Sequence, residues 1–397
     1  MIWSQKMKLL KGMLAGDKAF TGPSIATIDL SHRCNLKCPG CRFHSSIINF
    51  PAPGDQNKLD MPEETFKRIC SELKEMGTEY LVLTGEGEPF LHPRLVAFVL
   101  TAKEAGFKVT LFTNGTLMED AKLRRLVDAG LDILRVSLWA SSEEEYKINY
   151  PGSKPGTFTK IAGSLITLAR IKKEKETPFP LVSLHRPINR CNFIGVEAMV
   201  RLAYETGSNR VSFSPFKTRR KVLASLALSK DEEKQIKTQL RQIQEKLRTL
   251  SLSSNIDQTL IRYNIGESVW EKLPCYIGWV HMRIKVDGTV LACNTCSTPV
   301  GTLIKNTLEE IWNGREMRDF RRQTITREGL RRMSADCDCG FCCHTIENLR
   351  VHRIFKWCSL FRSIRNTNGL NEKRCLRKTD EKTRNQDRID RMRECGR

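Results

Sequence analysis

Short apolar segments alternate with helix-type patterns over the first half of this 397-residue chain. The apolar segments are rich in Val, Ile, Leu, Phe and Thr, as buried parallel strands tend to be. Between them, apolar residues recur three and four positions apart, and most of these stretches end in Gly, a common helix stop. The strand candidates are 25–30, 80–85, 108–114, 133–139, 180–185 and 210–216.

Repeated strand–helix units predict a parallel sheet with right-handed crossovers. Six units suit an open or partial barrel better than the closed eight-stranded one, so we expect an α/β fold with a partial (β/α)6 TIM-like barrel. In barrels of this kind the chemistry gathers at the C-terminal ends of the strands, on the loops that follow them.

Three cysteines follow the first strand directly, in the run SHRCNLKCPGC: Cys34, Cys38 and Cys41. Iron–sulfur clusters are held by Cys thiolates, usually four, so three ligands leave one iron open to a small molecule. Two other interpretations stay open for the triplet alone. His32 or His44 is near enough to complete a zinc site, and a secreted chain would pair such cysteines as disulfides.

The chain holds 15 cysteines and lacks the apolar region and cleavage site of an export signal. A reducing, cytoplasmic compartment and metal ligation are therefore expected rather than disulfides. No stretch approaches the ~20 apolar residues that a transmembrane helix needs. Residues 1–24 are basic and mildly amphipathic, which predicts a surface helix in front of the barrel at 25–216.

The formal net charge is +21, which would attract RNA, an anionic membrane surface or a phosphorylated substrate. Part of the charge lies in a basic tail at 361–397, a composition typical of a solvated extension. No recognisable nucleic-acid-binding motif accompanies the charge. Residues 217–272 read as a charged helical connector, and 273–360 as a small cysteine-rich domain.

Polar and glycine residues stand at the ends of the predicted strands. The second strand ends in LTGEGEPFLHP, in which Gly85 and Gly87 allow close backbone approach and Glu88 supplies a carboxylate. The next candidates at strand ends are Thr113, Asn114 and Ser137, with an ordinary turn as the alternative at Asn114. After the fifth strand, substrate or cofactor contact and capping or turn roles are equally open for His185, Arg186 and Asn192.

The cysteine triplet and the Gly-Glu-Pro turn together resemble the radical S-adenosylmethionine (SAM) enzymes. That resemblance implies a [4Fe-4S] cluster on Cys34, Cys38 and Cys41, whose open iron chelates SAM. Reduction by a partner such as flavodoxin or ferredoxin would then cleave SAM to a 5'-deoxyadenosyl radical, which takes a hydrogen atom from the substrate. It also implies SAM contacts at Gly85, Gly87, Glu88, Thr113, Asn114 and Ser137.

A predicted β-hairpin with its turn at Asp287-Gly288 lies between Cys275 and Cys293, and a short helix and further cysteines follow. This segment resembles the SPASM/twitch extension of radical SAM enzymes, which carries one or two auxiliary [4Fe-4S] clusters. The resemblance implies that Cys275, Cys293, Cys339 and Cys342 hold one. The run CDCGFCC is more compressed than the SPASM pattern, and a zinc ribbon is the alternative. The ligands of a second auxiliary cluster would be Cys296, Cys337, Cys343 and Cys358.

The resemblance spans most of the chain but leaves the reaction open: oxidation, crosslinking or epimerisation of a peptide, a protein or a sugar-like small molecule, with the auxiliary cluster as electron acceptor or substrate anchor. Only 24 residues precede the first strand, too few for a leader-peptide-binding domain, which favours a leaderless protein side chain or a small molecule. Cys191 is a candidate hydrogen donor for epimerisation, although a buried thiol is the simpler interpretation. The rivals are a radical SAM enzyme that modifies RNA and a non-catalytic iron–sulfur or zinc protein that binds nucleic acid.

Overall fold

Six parallel strands, neighbouring one another in chain order, form the centre of a ten-stranded sheet. The computed structural model describes residues 3–48, 60–218, 220–265, 269–333 and 342–354. The α/β prediction is confirmed, and each of the six predicted strands forms. Their bounds are β1 Ile25–Asp29, β2 Tyr80–Thr84, β3 Lys108–Thr113, β4 Ile133–Ser137, β5 Leu181–Ile188 and β6 Arg210–Pro215.

Helices connect successive strands and cover the outer face of the sheet. Alternate strand residues such as Ala26 and Ile28 are fully buried against the helices, whereas Thr27 and Asp29 lie on the opposite, concave face. That concave face is the inside of the partial barrel, called the lumen below. Up to α9 the helices are α1 Trp3–Ala15, α2 Glu63–Glu75, α3 Leu95–Glu104, α4 Asp120–Asp128, α5 Glu143–Asn149, α6 Thr157–Glu174, α7 Val196–Glu205, α8 Lys230–Thr249 and α9 Ile256–Ile265.

Strands from the later part of the chain extend both edges of the central sheet. Beyond β6 lies the two-residue β7, Ser253–Ser254. On the other edge β8, His281–Ile284, pairs in parallel with β1, and β9, Thr289–Leu291, pairs antiparallel with β8. The outermost strand is β10, Pro299–Thr302. The predicted hairpin with its turn at Asp287-Gly288 is confirmed, and it shares one sheet with the barrel; the boundaries 25–216 and 273–360 stay a prediction.

The remaining helices pack beside the hairpin. They are α10 Val269–Lys272, α11 Leu308–Trp312, α12 Arg315–Thr324 and α13 Arg327–Met333, and residues 345–354 form a further helical run. Within the part of the chain that the structure describes, no helix is both long and apolar enough to cross a bilayer. Residues 355–397, which include the predicted basic tail, lie outside the described residues, as do Cys337, Cys339 and Cys358.

Candidate active site

The loop after β1 carries Cys34, Cys38 and Cys41, all three half-buried. The backbone N–H of Cys41 donates to the carbonyl of Cys38 at 2.9 Å, which folds the loop into a turn. The sulfur of Cys41 accepts hydrogen bonds from the backbone N–H groups of Phe43 and His44, at 3.4 and 3.3 Å. Donors aimed at a sulfur stabilise its thiolate, the form that binds metal.

Burial raises the pKa of Cys34 to about 11, and the charges of Glu88 and Cys41 act in the same direction. Burial, followed by the charges of Cys41 and Cys34, also raises the pKa of Cys38. At neutral pH these side chains are therefore thiols unless a cation compensates the charge of the thiolates. A bound metal cluster supplies that positive charge, so the donor set fits one.

Among the described residues, no three or more His, Cys, Asp or Glu side chains lie close enough together to hold a single metal ion. His32, one candidate fourth ligand of a zinc site, instead places Nδ1 at 2.8 Å from a carboxylate oxygen of Glu86. The spacing of the three thiols thus does not support a one-ion site, whereas a cluster spreads its ligands over several metal atoms.

The Gly-Glu-Pro turn after β2 is hydrogen-bonded to the start of the cysteine loop. The N–H of Gly87 donates to the carbonyl of Ser31 at 2.9 Å, and the N–H of Glu88 donates to that of Arg33 at 2.7 Å. A Cβ atom at Gly87 would collide with the carbonyl oxygen of Arg33, so only glycine fits here. Gly85 lies against the carbonyl of Ser31. The close approach is thus between two segments of this chain.

Glu88 connects the end of β2 to the end of β3. Its Oε1 accepts from the Thr113 hydroxyl at 2.7 Å and from the Phe90 N–H at 3.0 Å, and its Oε2 accepts from the Asn114 N–H at 2.6 Å. Burial raises the pKa of Glu88, while these hydrogen bonds oppose the shift. The carboxylate is 2% exposed, and it retains lone pairs that could accept from a ligand amine.

Asn114 also contacts the cysteine loop. Its side-chain amide donates to Oδ1 of Asn35 at 2.9 Å, and the Asn35 amide donates to the Thr116 hydroxyl at 2.8 Å. The predicted residues Gly87, Glu88, Thr113 and Asn114 therefore lie together beside the loop that carries the thiols.

Ser137, at the end of β4, accepts a hydrogen bond from Nε1 of Trp139 at 3.2 Å. Trp139 and Phe216 lie over the turn between Cys38 and Cys41, because a Cβ on Gly40 would stand 2.5 Å from the Phe216 ring and 2.9 Å from the Trp139 ring. These two aromatic residues were not singled out in the sequence. They cover one side of the cysteine loop and limit access of water to it.

The three candidates after β5 separate into two kinds. Arg186 is fully buried and donates to Glu145 at 3.0 Å, and Asn192 donates to the carbonyls of Trp139 and Pro187 at 3.0 Å each. Both side chains are occupied within the protein. His185 instead lies in the lumen, where Nδ1 is 3.0 Å from the Ser212 hydroxyl. Cys191 is exposed rather than buried, contrary to the simpler interpretation of that thiol.

The second cysteine group surrounds the hairpin. Cys275, Cys293, Cys296 and Cys342 are buried, whereas Cys343 is exposed. The sulfur of Cys342 accepts from the His344 N–H at 3.2 Å. Burial opposes ionisation of Cys293, but the charge of His344 and hydrogen bonds from His344 and Thr295 lower the pKa of Cys293 to about 7. The adjacent Cys342 and Cys343 thus differ in environment.

Two arginines join the cysteine loop to the second group. Nη1 of Arg42 donates to the carbonyl of Thr295 at 3.1 Å, and Nη1 of Arg283 donates to that of Asn294 at 3.0 Å. The guanidinium of Arg283 also lies 5.6 Å from the Phe43 ring centre. Like His344, these residues escaped the sequence analysis, since only His344, directly after Cys343, has a local signal. The backbone around the two groups of thiols is therefore in direct contact.

Two family profiles match the chain, and together they cover more than half of it. Residues 28–173 match the radical SAM superfamily, and residues 275–343 match SPASM, an iron–sulfur cluster-binding domain. The PqqA peptide cyclase of Ruegeria pomeroyi is 29% identical over 311 residues, 75% of this chain and 76% of that protein. The PqqA peptide cyclase of Gluconobacter oxydans is 26% identical over 304 residues, 73% of this chain and 76% of that protein.

Solved structures share the fold at low sequence identity. Streptococcus suis SuiB bound to S-adenosylmethionine aligns with a TM-score of 0.60 at 16% identity, over 86% of this chain and 76% of that chain. The enzyme anSMEcpe with bound AdoMet aligns with a TM-score of 0.57 at 16% identity, over 88% of this chain and 97% of that chain. These likenesses establish the architecture and leave the roles of individual residues to the chemistry of the site.

Proposed function

This chain belongs to the radical SAM superfamily and carries a C-terminal SPASM domain, and on that premise we propose that it modifies a side chain of a peptide, with Cys34, Cys38 and Cys41 as the ligands of the SAM-binding cluster. A [4Fe-4S] cluster with one iron free of protein ligands supplies, together with SAM and an electron, the 5'-deoxyadenosyl radical that abstracts a substrate hydrogen atom. All further roles below belong to residues of the chain.

The observation that carries the proposal is the junction between the cysteine loop and the Gly-Glu-Pro turn. The hydrogen bonds from Gly87 to Ser31 and from Glu88 to Arg33 place a buried carboxylate beside three half-buried thiols. An amino group of SAM at this junction would donate to Glu88, and Asn114, held by Asn35, would present a further polar side chain. Gly85, Thr113 and Ser137 would complete the SAM site from the same strand ends.

An auxiliary cluster on Cys275, Cys293, Cys342 and Cys339 is the second part of the proposal. Burial of the first three thiols and the lowered pKa of Cys293 support it. The cluster would accept an electron from the substrate radical or anchor the substrate. We favour one auxiliary cluster, because exposed Cys343 stands apart from buried Cys342.

A peptide as the substrate is supported by the match to PqqA peptide cyclases over about three quarters of the chain. Crosslinking is the reaction that these relatives favour. The proposal includes an electron donor such as flavodoxin or ferredoxin and a reducing compartment such as the cytoplasm, in keeping with 15 cysteines in the chain.

Anaerobic reconstitution with iron, sulfide and dithionite tests the proposal. We expect conversion of SAM to 5'-deoxyadenosine, loss of that conversion in Cys34→Ala, and its retention in Cys275→Ala. If the reconstituted wild type leaves SAM intact, the proposal falls. Equal loss in both variants would contradict the separate roles of the two cysteine groups.

A further inference from the structure

Arg135 lies in the middle of β4 and points into the lumen. Its strand neighbours Leu134 and Val136 are fully buried on the opposite face, against the helices. In the sheet register Arg135 stands beside Phe112 of β3 on one side and Ser183 of β5 on the other. The guanidinium lies 5.1 Å from the centre of the Phe112 ring, which orients it across the lumen.

The guanidinium of Arg135 makes no hydrogen bond or ion pair with any described residue, and its Nε is buried. Two other arginines show the usual outcome of burial. Arg186 pairs with Glu145, and Arg283 pairs with Asp29. A buried cation without a counterion is costly, so an unpaired one indicates a missing anionic partner.

The groups around Arg135 add positive charge instead of compensating it. Arg210 takes the next position across Ser183 in the sheet register. Burial and the charge of Arg210 lower the pKa of Arg135 to about 10, so it stays protonated at neutral pH. The charge of Glu347 acts in the opposite direction. His185 adds no negative charge, because burial, Arg135 and Arg262 keep it neutral.

We propose that Arg135 binds an anionic group of the substrate, a carboxylate or a phosphate, inside the barrel. This inference rests on the proposed function. The anion belongs to the substrate and not to SAM, because Arg135 precedes Ser137, the strand-end residue, by two positions. It therefore lies roughly 7 Å deeper than the rim at which Glu88 and Asn114 meet the cysteine loop. Glu347, in the helical run that follows Cys342, places this region between the two cysteine groups.

Isothermal titration calorimetry of the reconstituted, SAM-loaded full chain tests the inference with three probes: glutarate, inorganic phosphate and the neutral isostere glutaramide. We expect wild type to bind glutarate or phosphate and to ignore glutaramide. Arg135→Met should weaken anion binding about tenfold or more, since a charge-assisted hydrogen bond is lost. Arg125→Met, at an exposed position on the outer helix α4, is the matched control and should bind like wild type. The stronger of the two anions identifies the source as carboxylate or phosphate.

Three outcomes would overturn the inference: no anion binding by wild type, equal binding by Arg135→Met, or a parallel loss of SAM affinity in Arg135→Met, which would assign the anion to SAM. SAM cleavage by wild type is measured separately. Failure of cleavage with intact, Arg135-dependent anion binding refutes the proposed function alone, and cleavage without such binding refutes only the anion site.

Discussion

Arg283 donates two hydrogen bonds to a single carboxylate oxygen of Asp29, from Nε at 2.9 Å and from Nη2 at 2.7 Å. Asp29 is fully buried at the end of β1, and Arg283 stands on β8, the strand that pairs with β1. This ion pair joins the barrel to the hairpin of the second cysteine group at the level of the site.

Asp29→Asn should destabilise the chain by about 3–5 kcal/mol, because it leaves the buried charge of Arg283 without a counterion. Urea unfolding measures the change. Asp231→Asn, which breaks an exposed pair with Lys234, is the control and should cost at most about 1 kcal/mol. Adding Arg283→Met to Asp29→Asn should recover part of the loss. Equal costs for Asp29→Asn and Asp231→Asn would refute a buried pair.

Gly87→Ala should displace the cysteine loop, because the added methyl group collides with the backbone of Arg33. Overpacking of this kind costs roughly 1–3 kcal/mol. We expect less iron bound per chain after reconstitution and weaker SAM binding, measured by iron determination and calorimetry. Gly163→Ala, in the open middle of α6, is the matched control and should be neutral or stabilising by up to about 1 kcal/mol. Normal iron content in Gly87→Ala would contradict the prediction.

The stability that neutral His185 contributes should decline in acid. Burial, with the charges of Arg135 and Arg262, lowers the pKa of His185 to about 3, whereas the unfolded chain protonates this side chain near pH 6.5. The contribution is complete above pH 6.5 and is lost as the pH falls toward 3. The difference in unfolding free energy between wild type and His185→Gln should therefore shrink from pH 7 to pH 5. A difference that stays constant with pH would show that His185 titrates normally.

Cys342→Ser should lower the iron content by about four atoms per chain, the size of one auxiliary [4Fe-4S] cluster. Cys343→Ser is the neighbouring control and should keep full iron, since Cys343 is exposed whereas Cys342 is buried. Iron and sulfide determination on the reconstituted chains measures both. Iron loss in Cys343→Ser would instead indicate a second auxiliary cluster.

Much of the barrel could be predicted because each strand–helix unit is encoded locally. The apolar run that became β4 and the turn at Gly87 and Glu88 are visible in a few residues. The parallel pairing of β1 with β8 was not predictable, since Asp29 and Arg283 are separated by 254 positions and nothing local selects that partner. Likewise, Arg135 stands inside a predicted strand, but its unpaired charge becomes visible only when the lumen is assembled. His344 lacked a helical or strand signal that would have pointed to Cys293.

The pairing of β8 with β1 means that the two cysteine segments are not separable modules. A fragment that ended before residue 273 would leave the backbone N–H and C=O groups of β1 unpaired along an open edge. Exposed edges of this kind recruit strands from other molecules. The barrel portion alone would therefore be expected to aggregate, and gain or loss of the C-terminal segment during evolution would require a replacement for that edge.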